Sequence, residues 1–149
     1  IQAQMIIKDI VCLDLPYAPP FNSAIDHFIV CAHVIENKLK GFLKSVSAEE
    51  VMGRIADQDN NCFLDVRDPQ EFETVKLNIG ETLIPLGMLR KRLNELPHDK
   101  NSEIIVYCKT GPRSYEAALF LESQGWTNVK IMEGGIAAWP GRISEPSRC

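Results

Sequence analysis

The sequence predicts an α/β fold with a mainly parallel sheet, and two patterns carry that prediction. From Ser45 onward, short apolar runs of strand length alternate with amphipathic stretches of helix length. Polar or glycine- and proline-containing segments separate these runs. Such alternation is typical of parallel sheets, whose right-handed crossovers place helices on both faces of the sheet.

Four apolar runs are the predicted strands of this region. They read CFLDV (62–66), TLIPL (82–86), EIIVYC (103–108) and NVKIM (128–132). TLIPL is a short strand or an edge segment, whereas EIIVYC is the clearest buried strand in the chain. Ligands of parallel sheets bind just beyond the carboxyl ends of the strands, and Cys108 lies at such an end.

Capping signals locate the first two helices of this region. Ser47 to Glu50 reads SAEE, a capping box, and the helix that it opens runs to about Ala56. Asp68 is the predicted N-cap of a short helix, with Pro69 at the first helical position.

Three further segments are predicted to be helical. GMLRKRLNEL (87–96) is an amphipathic helix ended by a proline, and RSYEAALFLESQG (113–125) is a helix whose final glycine lies just beyond its end. EGGIAAW (133–139) is a glycine turn that leads into a short final helix.

Residues 1–44 have a different pattern. MIIKDIVCLDL (5–15) predicts one strand or two short strands, and the three prolines of PYAPPF (16–21) exclude a helix. The apolar spacing after it predicts an amphipathic helix capped by Asn22 or Ser23 and ended near Gly41. This strand and helix appendage is too small for a core of its own, so we expect it to pack on the rest of the chain or on a partner.

The composition of the 149 residues excludes several classes of function. The chain is 45% hydrophobic and 24% charged with a net charge of -4, so no basic excess points to a nucleic-acid partner. No apolar run reaches membrane-spanning length, and we expect neither a membrane partner nor a signal peptide. The odd cysteine count and the lack of C-x-x-C spacing argue against a metal site and favour a reduced, cytoplasmic setting. Those cysteines are Cys12, Cys31, Cys62, Cys108 and Cys149.

The segment YCKTGPRS (107–114) has the residues of a reactive cysteine site. A tight loop between a strand and a helix can direct its backbone amides inward, and the helix adds the positive end of its dipole. Lys109 and Arg113 add two positive charges, while Gly111 allows an unusual backbone conformation and Pro112 stiffens the loop. Cys108 at the base of such a loop should have a lowered pKa.

Two classes of reaction fit a nucleophilic sulfur in an electropositive pocket. One is sulfur transfer through a cysteine persulfide, and the other is phosphoryl or arsenate chemistry through a thiolate. Thr110 and Ser114 can contribute hydroxyl hydrogen bonds to either reaction. Neither reaction calls for a cofactor, and we expect none.

Four motifs in order resemble a single rhodanese domain between about Ser45 and Gly141. They are VSAEEV, FLDVRDPQEF, IIVYCKTGPRS and IMEGGIAAW. The resemblance implies a rhodanese-like fold with a central five-stranded sheet, within a domain of residues 45–149. It also implies that Cys108 carries the sulfane sulfur and that the amides from Lys109 to Arg113 surround the outer sulfur.

Loop length and one departure refine this resemblance. Rhodanese-type loops have four residues between the cysteine and the arginine, as here, whereas the related phosphatase and arsenate-reductase loops have one more. Sulfur transfer is therefore favoured over phosphate chemistry. TVKLNIGETLIPL (74–86) lacks the Gly-His-Ile pattern usual in the family, so this loop is expected to differ. Asp65, Arg67 and Glu71 are predicted to form a structural ion-pair cluster.

LDLPYAPPFNSAIDHFIVCAHVIEN (13–37) resembles the end of the dimerisation domain of flavin-dependent reductases of the coenzyme A–disulfide reductase and NADH oxidase group. This resemblance implies that residues 1–44 are the tail of such a domain and provide contacts to a flavoprotein reductase or a homodimer. Tyr17 matches the tyrosine of that motif and is expected to pack. Cys149 is expected to be idle.

The predicted activity is that of a rhodanese-type sulfurtransferase. Its expected substrates are small anionic sulfur donors, namely thiosulfate, polysulfide or a low-molecular-weight persulfide, and its expected acceptors are thiols. The alternative is a sulfur-relay or interaction module of a flavin-dependent coenzyme A–disulfide or polysulfide reductase, with little activity alone. A thiolate phosphatase is the third and least favoured interpretation.

Overall fold

A computed structural model describes residues 4–15, 26–56 and 62–141. The chain divides into two compact units, Ile1–Leu43 and Lys44–Cys149. The second unit is built on a five-stranded, all-parallel sheet in the order β1-β5-β4-β2-β3. Its strands are β1 (Ser45–Val46), β2 (Cys62–Asp65), β3 (Thr82–Leu83), β4 (Ile104–Tyr107) and β5 (Val129–Met132). The predicted α/β class is confirmed.

The middle strand, β4, is the most deeply buried element of the sheet. Its residues pair with β2 on one side and β5 on the other, and all four are fully covered. Continuous apolar sequence is what a strand needs when helices cover both faces of a sheet. Because β4 lies in the centre, the residue that follows it is held at the middle of the carboxyl edge.

This unit contains three α-helices among its described residues, and the first two begin at the predicted caps. They are α3 (Ala48–Ala56), α4 (Pro69–Thr74) and α5 (Pro112–Ser123). The hydroxyl of Ser47 accepts a 3.1 Å hydrogen bond from the Glu50 amide at the start of α3. Asp68 and Glu71 form a reciprocal capping box at α4. Gly125 follows α5 with a φ of +95° and ends it, as predicted.

The predicted α-helix over residues 87–96 is wrong in type. The structure has two 3-10 helices here, Leu86–Lys91 and Leu93–Glu95. Their hydrogen bonds join residues three apart, as where the Met88 amide donates to the Pro85 carbonyl at 2.7 Å. Arg92 interrupts them with a φ of -120°, and such short segments favour the tighter turn. The final glycine turn leads into a third 3-10 helix, Gly135–Ala138.

The first unit contains α1 (Ile7–Val11) and α2 (His27–Leu39). The strand predicted over residues 5–15 is wrong, because Ile7–Val11 form a helix and no residue of this stretch is in a strand. The Asp9 side chain accepts a 3.0 Å hydrogen bond from the Ile6 amide. The helix therefore satisfies its backbone groups locally, whereas a strand would need a neighbouring strand to do so. The helix α2 is confirmed, but its N-cap is Asp26, which accepts from the Phe28 amide at 2.8 Å. Asn22 and Ser23 lie outside the described residues.

The core of the second unit joins the sheet to α3 and to the last 3-10 helix. Apolar side chains from β1, β2, β4 and β5 form it with neighbours from the loops and helices. The buried members are Val46, Ala48, Val51, Phe63, Leu77, Ile105, Tyr107, Met132 and Ile136. In the described part of the chain, no helix has the length and apolar character needed to cross a membrane.

Candidate active site

The site begins where β4 ends and α5 begins. Cys108 follows β4 directly, is 1% exposed, and lies beneath a loop whose residues Lys109, Thr110 and Pro112 are exposed. The Gly111 amide points back to the Cys108 sulfur and donates a hydrogen bond of 3.1 Å. Gly111 has a φ of +138°, which side-chain-bearing residues rarely adopt, so glycine permits this inward-facing amide.

The pKa of the Cys108 thiol lies below its ordinary value. Burial alone would raise it, but hydrogen bonds from the Ser114 and Gly111 amides, the Ser114 hydroxyl and the Thr110 amide together lower it. The loop therefore stabilises the thiolate by fixed dipoles at the start of α5. This is the environment in which a cysteine is a nucleophile.

Ser114 is fully buried and lies on the first turn of α5. Its hydroxyl donates a 2.6 Å hydrogen bond to the Gly111 carbonyl and lies 3.7 Å from the Cys108 sulfur. A hydroxyl proton can rotate between two such acceptors. Ser114 therefore fixes the loop conformation and can also donate to the sulfur.

The glycine pair after β5, Gly134 and Gly135, begins the turn that supports the base of this loop. The amides of Ile136 and Ala137 donate 3.0 Å hydrogen bonds to the carbonyls of Cys108 and Lys109. A Cβ on Gly135 would lie 2.3 Å from the Cys108 carbonyl oxygen, so only glycine allows this approach. The sequence predicts a turn, a short helix and a family motif at EGGIAAW, but not its contact with the reactive loop.

The predicted cluster of Asp65, Arg67 and Glu71 is correct only in part. Arg67 and Asp65 form a buried pair, with Arg67 Nη2 at 2.7 Å from Asp65 Oδ2. Arg67 also donates to the carbonyls of Glu71 and Val75 and so fixes α4 against the end of β2. The Glu71 carboxylate, however, does not bind Arg67. It binds the side chain of Arg113, which the sequence prediction had assigned to the donor.

Arg113 and Glu71 form a bidentate ion pair at the rim of the site. Nη1 and Nη2 of Arg113 lie 2.6 and 2.8 Å from the two carboxylate oxygens, and Asp68 lies 3.4 Å from Nη1. The hydrogen bonds from Arg113 are the main cause that lowers the pKa of Glu71 to about 2. Hydrogen bonds to Glu71 likewise raise the pKa of Arg113, with a smaller contribution from the Cys108 thiolate.

The departure from the family pattern at residues 74–86 has a structural counterpart. The Glu81 carboxylate accepts hydrogen bonds from the amides of Leu77, Asn78 and Ile79 at 3.1, 3.0 and 2.7 Å. This single side chain closes the turn, in which Asn78 has a φ of +55°. Sequence reasoning missed the role of Glu81, although an acidic residue after a glycine turn was visible.

The structure thus brings Cys108, Gly111 and Ser114 together, with the Thr110 amide as a further donor to the sulfur. It places Lys109 and Pro112 on the exposed side of the loop. Tyr17 and Cys149 lie outside the described residues. What the geometry defines is an α/β protein with one activated thiol in a loop of amides at the carboxyl edge of a parallel sheet.

Sequence comparison places this architecture in a family. Residues 47–141 match the Rhodanese-like domain family, so the chain belongs to that family. A sulfurtransferase from Allochromatium vinosum is 32% identical over 98 residues, which cover 65% of this chain and 88% of that protein. The recognition of a rhodanese domain is confirmed.

Two solved structures resemble nearly the whole chain, including the segment before the rhodanese-like domain. Reduced Bacillus anthracis CoADR-RHD matches with a TM-score of 0.82 at 33% identity. The match covers 93% of this chain and 24% of that protein. An NAD-dependent persulfide reductase from A. fulgidus matches with a TM-score of 0.76 at 38% identity. This match covers 93% of the chain and 23% of the reductase. This chain therefore spans about a quarter of each of these two proteins.

Proposed function

We propose that this chain is a sulfurtransferase that moves a sulfane sulfur through a persulfide on Cys108. The donor is thiosulfate, a polysulfide or a low-molecular-weight persulfide, and the acceptor is a thiol. The observation that carries the proposal is the Cys108 thiol, which lies in a loop of amides that lower its pKa. The family to which residues 47–141 belong supports the same chemistry.

The first half-reaction is a displacement at sulfur. The Cys108 thiolate attacks the sulfane sulfur, a new S–S bond forms, and the S–S bond of the donor breaks. The donor's remaining portion leaves as sulfite from thiosulfate, as a shorter polysulfide from a polysulfide, or as a thiolate from a persulfide. In the second half-reaction the acceptor thiolate attacks the outer sulfur and Cys108 leaves as the thiolate.

The loop provides the electrostatic contribution to both steps. The amides of Thr110, Gly111 and Ser114 already point at the thiolate and need no reorganisation as charge moves to the outer sulfur. Because Cys108 is 1% exposed, a donor has to approach with its terminal sulfur foremost. We assign the donor-side contacts to the loop from Lys109 to Ser114.

Intact mass spectrometry after exposure to thiosulfate, polysulfide and a small persulfide tests the proposal. The wild-type chain should gain the mass of one sulfur atom, removable by a thiol reductant, and Cys108→Ser should not gain it. Cys62→Ser is the matched control, because Cys62 is a half-buried free thiol whose pKa burial raises. Loading that persists in Cys108→Ser would refute the role of Cys108.

A second candidate function is a sulfur-relay module of a flavin-dependent reductase. It is favoured by the likeness of nearly the whole chain, residues 1–44 included, to a quarter of two larger proteins, one of them named as a persulfide reductase. Residues 1–44 would then contact a reductase partner or a second copy of this chain. Turnover that stays negligible alone and rises on adding such a reductase would favour this role over independent catalysis.

A further inference from the structure

We propose that Glu71 is a specificity-determining residue, which withholds the charge of Arg113 from the donor and thereby disfavours dianionic donors relative to singly charged ones. This inference rests on the proposed sulfur transfer through Cys108. It concerns which member of the donor class the site prefers.

The geometry of α4 determines where the Arg113 side chain lies. Glu71 engages both terminal nitrogens of Arg113, and one of its oxygens also accepts from the Asp68 amide at 3.2 Å in the capping box. The Glu71 backbone is fixed in turn, since its carbonyl accepts from the buried Arg67 at 3.3 Å. Glu71 is therefore a rigidly held partner that draws the guanidinium toward α4.

The charges at the rim of the site then cancel. The side chains of Arg113 and Lys109 contribute two positive charges, and those of Glu71 and Asp68 contribute two negative charges. The side chains of the Arg113 and Glu71 pair are 32% and 31% exposed, so a donor at the loop meets this neutral pair rather than a lone guanidinium. What remains for anion binding is chiefly the set of loop amides.

A neutral rim affects the two kinds of donor unequally. When the Cys108 thiolate attacks thiosulfate, a donor with two negative charges lies next to the negatively charged sulfur. The persulfide of a neutral thiol carries only one negative charge. The repulsion that a lone arginine would relieve is larger in the first case. The chain should thus load sulfur from the singly charged persulfide in preference to thiosulfate, and Glu71 should be one cause.

The test compares loading rates in Glu71→Gln with those in Glu73→Gln. Glu73 lies on the same helix, is 73% exposed and binds Lys76 rather than Arg113, so its substitution removes the same charge without releasing the guanidinium. Second-order rate constants for loading Cys108 are measured by quenched mass spectrometry, with thiosulfate and with the persulfide of 2-mercaptoethanol. Glu71→Gln should raise the thiosulfate-to-persulfide rate ratio about 3- to 10-fold and Glu73→Gln should leave it unchanged.

A second readout needs no sulfur transfer. Site-resolved alkylation of Cys108 by anionic iodoacetate and by neutral iodoacetamide reports the local charge. The ratio of the iodoacetate rate to the iodoacetamide rate should rise in Glu71→Gln and not in Glu73→Gln. Added salt should make this rise smaller. Asp68→Asn keeps a side chain that can cap the helix, and it should raise both ratios by less than Glu71→Gln does. It is the variant to use if Glu71→Gln does not fold.

The outcomes separate the two proposals. If both ratios in Glu71→Gln equal those in Glu73→Gln, the role of Glu71 is refuted even when sulfur loads normally. If the alkylation ratio rises but no donor loads sulfur on any variant, the electrostatic effect of Glu71 is real, while sulfur transfer and the donor preference derived from it are both refuted.

Discussion

The amide of Ile136 donates a 3.0 Å hydrogen bond to the carbonyl of Cys108, which joins the last 3-10 helix to the nucleophile's own backbone. Gly135, the residue before it, has a φ of +56° and lies too close to that carbonyl for any Cβ. The geometry of the reactive loop therefore depends on a glycine that lies outside the loop in the sequence.

We predict that Gly135→Ala distorts the loop and lowers stability. The added Cβ would meet the Cys108 and Lys109 carbonyl oxygens at 2.3 and 2.8 Å, in a backbone region that alanine disfavours. We expect a loss of about 2 kcal/mol or more in the free energy of unfolding and at least about tenfold slower sulfur loading. Urea denaturation and quenched mass spectrometry measure the two effects.

Gly53→Ala is the control for that substitution. Gly53 lies within α3, and a Cβ there would meet nothing within 4 Å. It should raise the free energy of unfolding by about 0.5–1 kcal/mol and leave loading unchanged. Equal effects of the two substitutions would contradict the contact assigned to Gly135.

The buried pair of Arg67 and Asp65 gives a second prediction. Arg67→Ala leaves the Asp65 carboxylate, which is fully covered, without its cation and frees the Val75 carbonyl. The expected cost is about 3–5 kcal/mol in the free energy of unfolding. Arg92→Ala, which removes an exposed pair with Glu95, should cost far less, because solvent screens an exposed ion pair. A cost for Arg67→Ala no larger than that control would mean that water compensates the buried charge.

The lowered pKa of Cys108 gives a third prediction, on pH. The loop hydrogen bonds stabilise the charged thiolate, so the rate of alkylation by iodoacetamide should reach half its maximum at a lower pH than for an ordinary thiol. Ser114→Ala removes one donor to the sulfur, and this midpoint should therefore move to higher pH. Below the midpoint, loading should slow accordingly.

The matched control for this experiment is Ser123→Ala on the same helix. The Ser123 hydroxyl donates to the Phe120 carbonyl and is exposed, far along α5 from the sulfur. It should leave the pH profile of Cys108 unchanged. A midpoint that moves to lower pH in Ser114→Ala would show that the hydroxyl stabilises the thiol rather than the thiolate.

Much of the second unit was predictable because its signals are local in the chain. Strands β2, β4 and β5, the caps of α3 and α4, and the glycine end of α5 all follow from neighbouring residues. The first unit was less predictable. The apolar residues of 5–15 fit a strand, but a strand needs a neighbouring strand to pair with. A helix needs none, and the hydrogen bond from the Ile6 amide to Asp9 caps it locally.

The sequence by itself determined the α/β class, the place of Cys108 after a buried strand and the short loop that turns its amides inward. Only the tertiary structure decided which partners those residues have. Glu71 and Arg113 are 42 residues apart, and Gly135 reaches Cys108 from another strand's end. The physical reason is that a parallel sheet brings the carboxyl ends of distant strands to one edge. There, the carboxylate that lies beside an arginine decides how much of the arginine's positive charge a ligand meets.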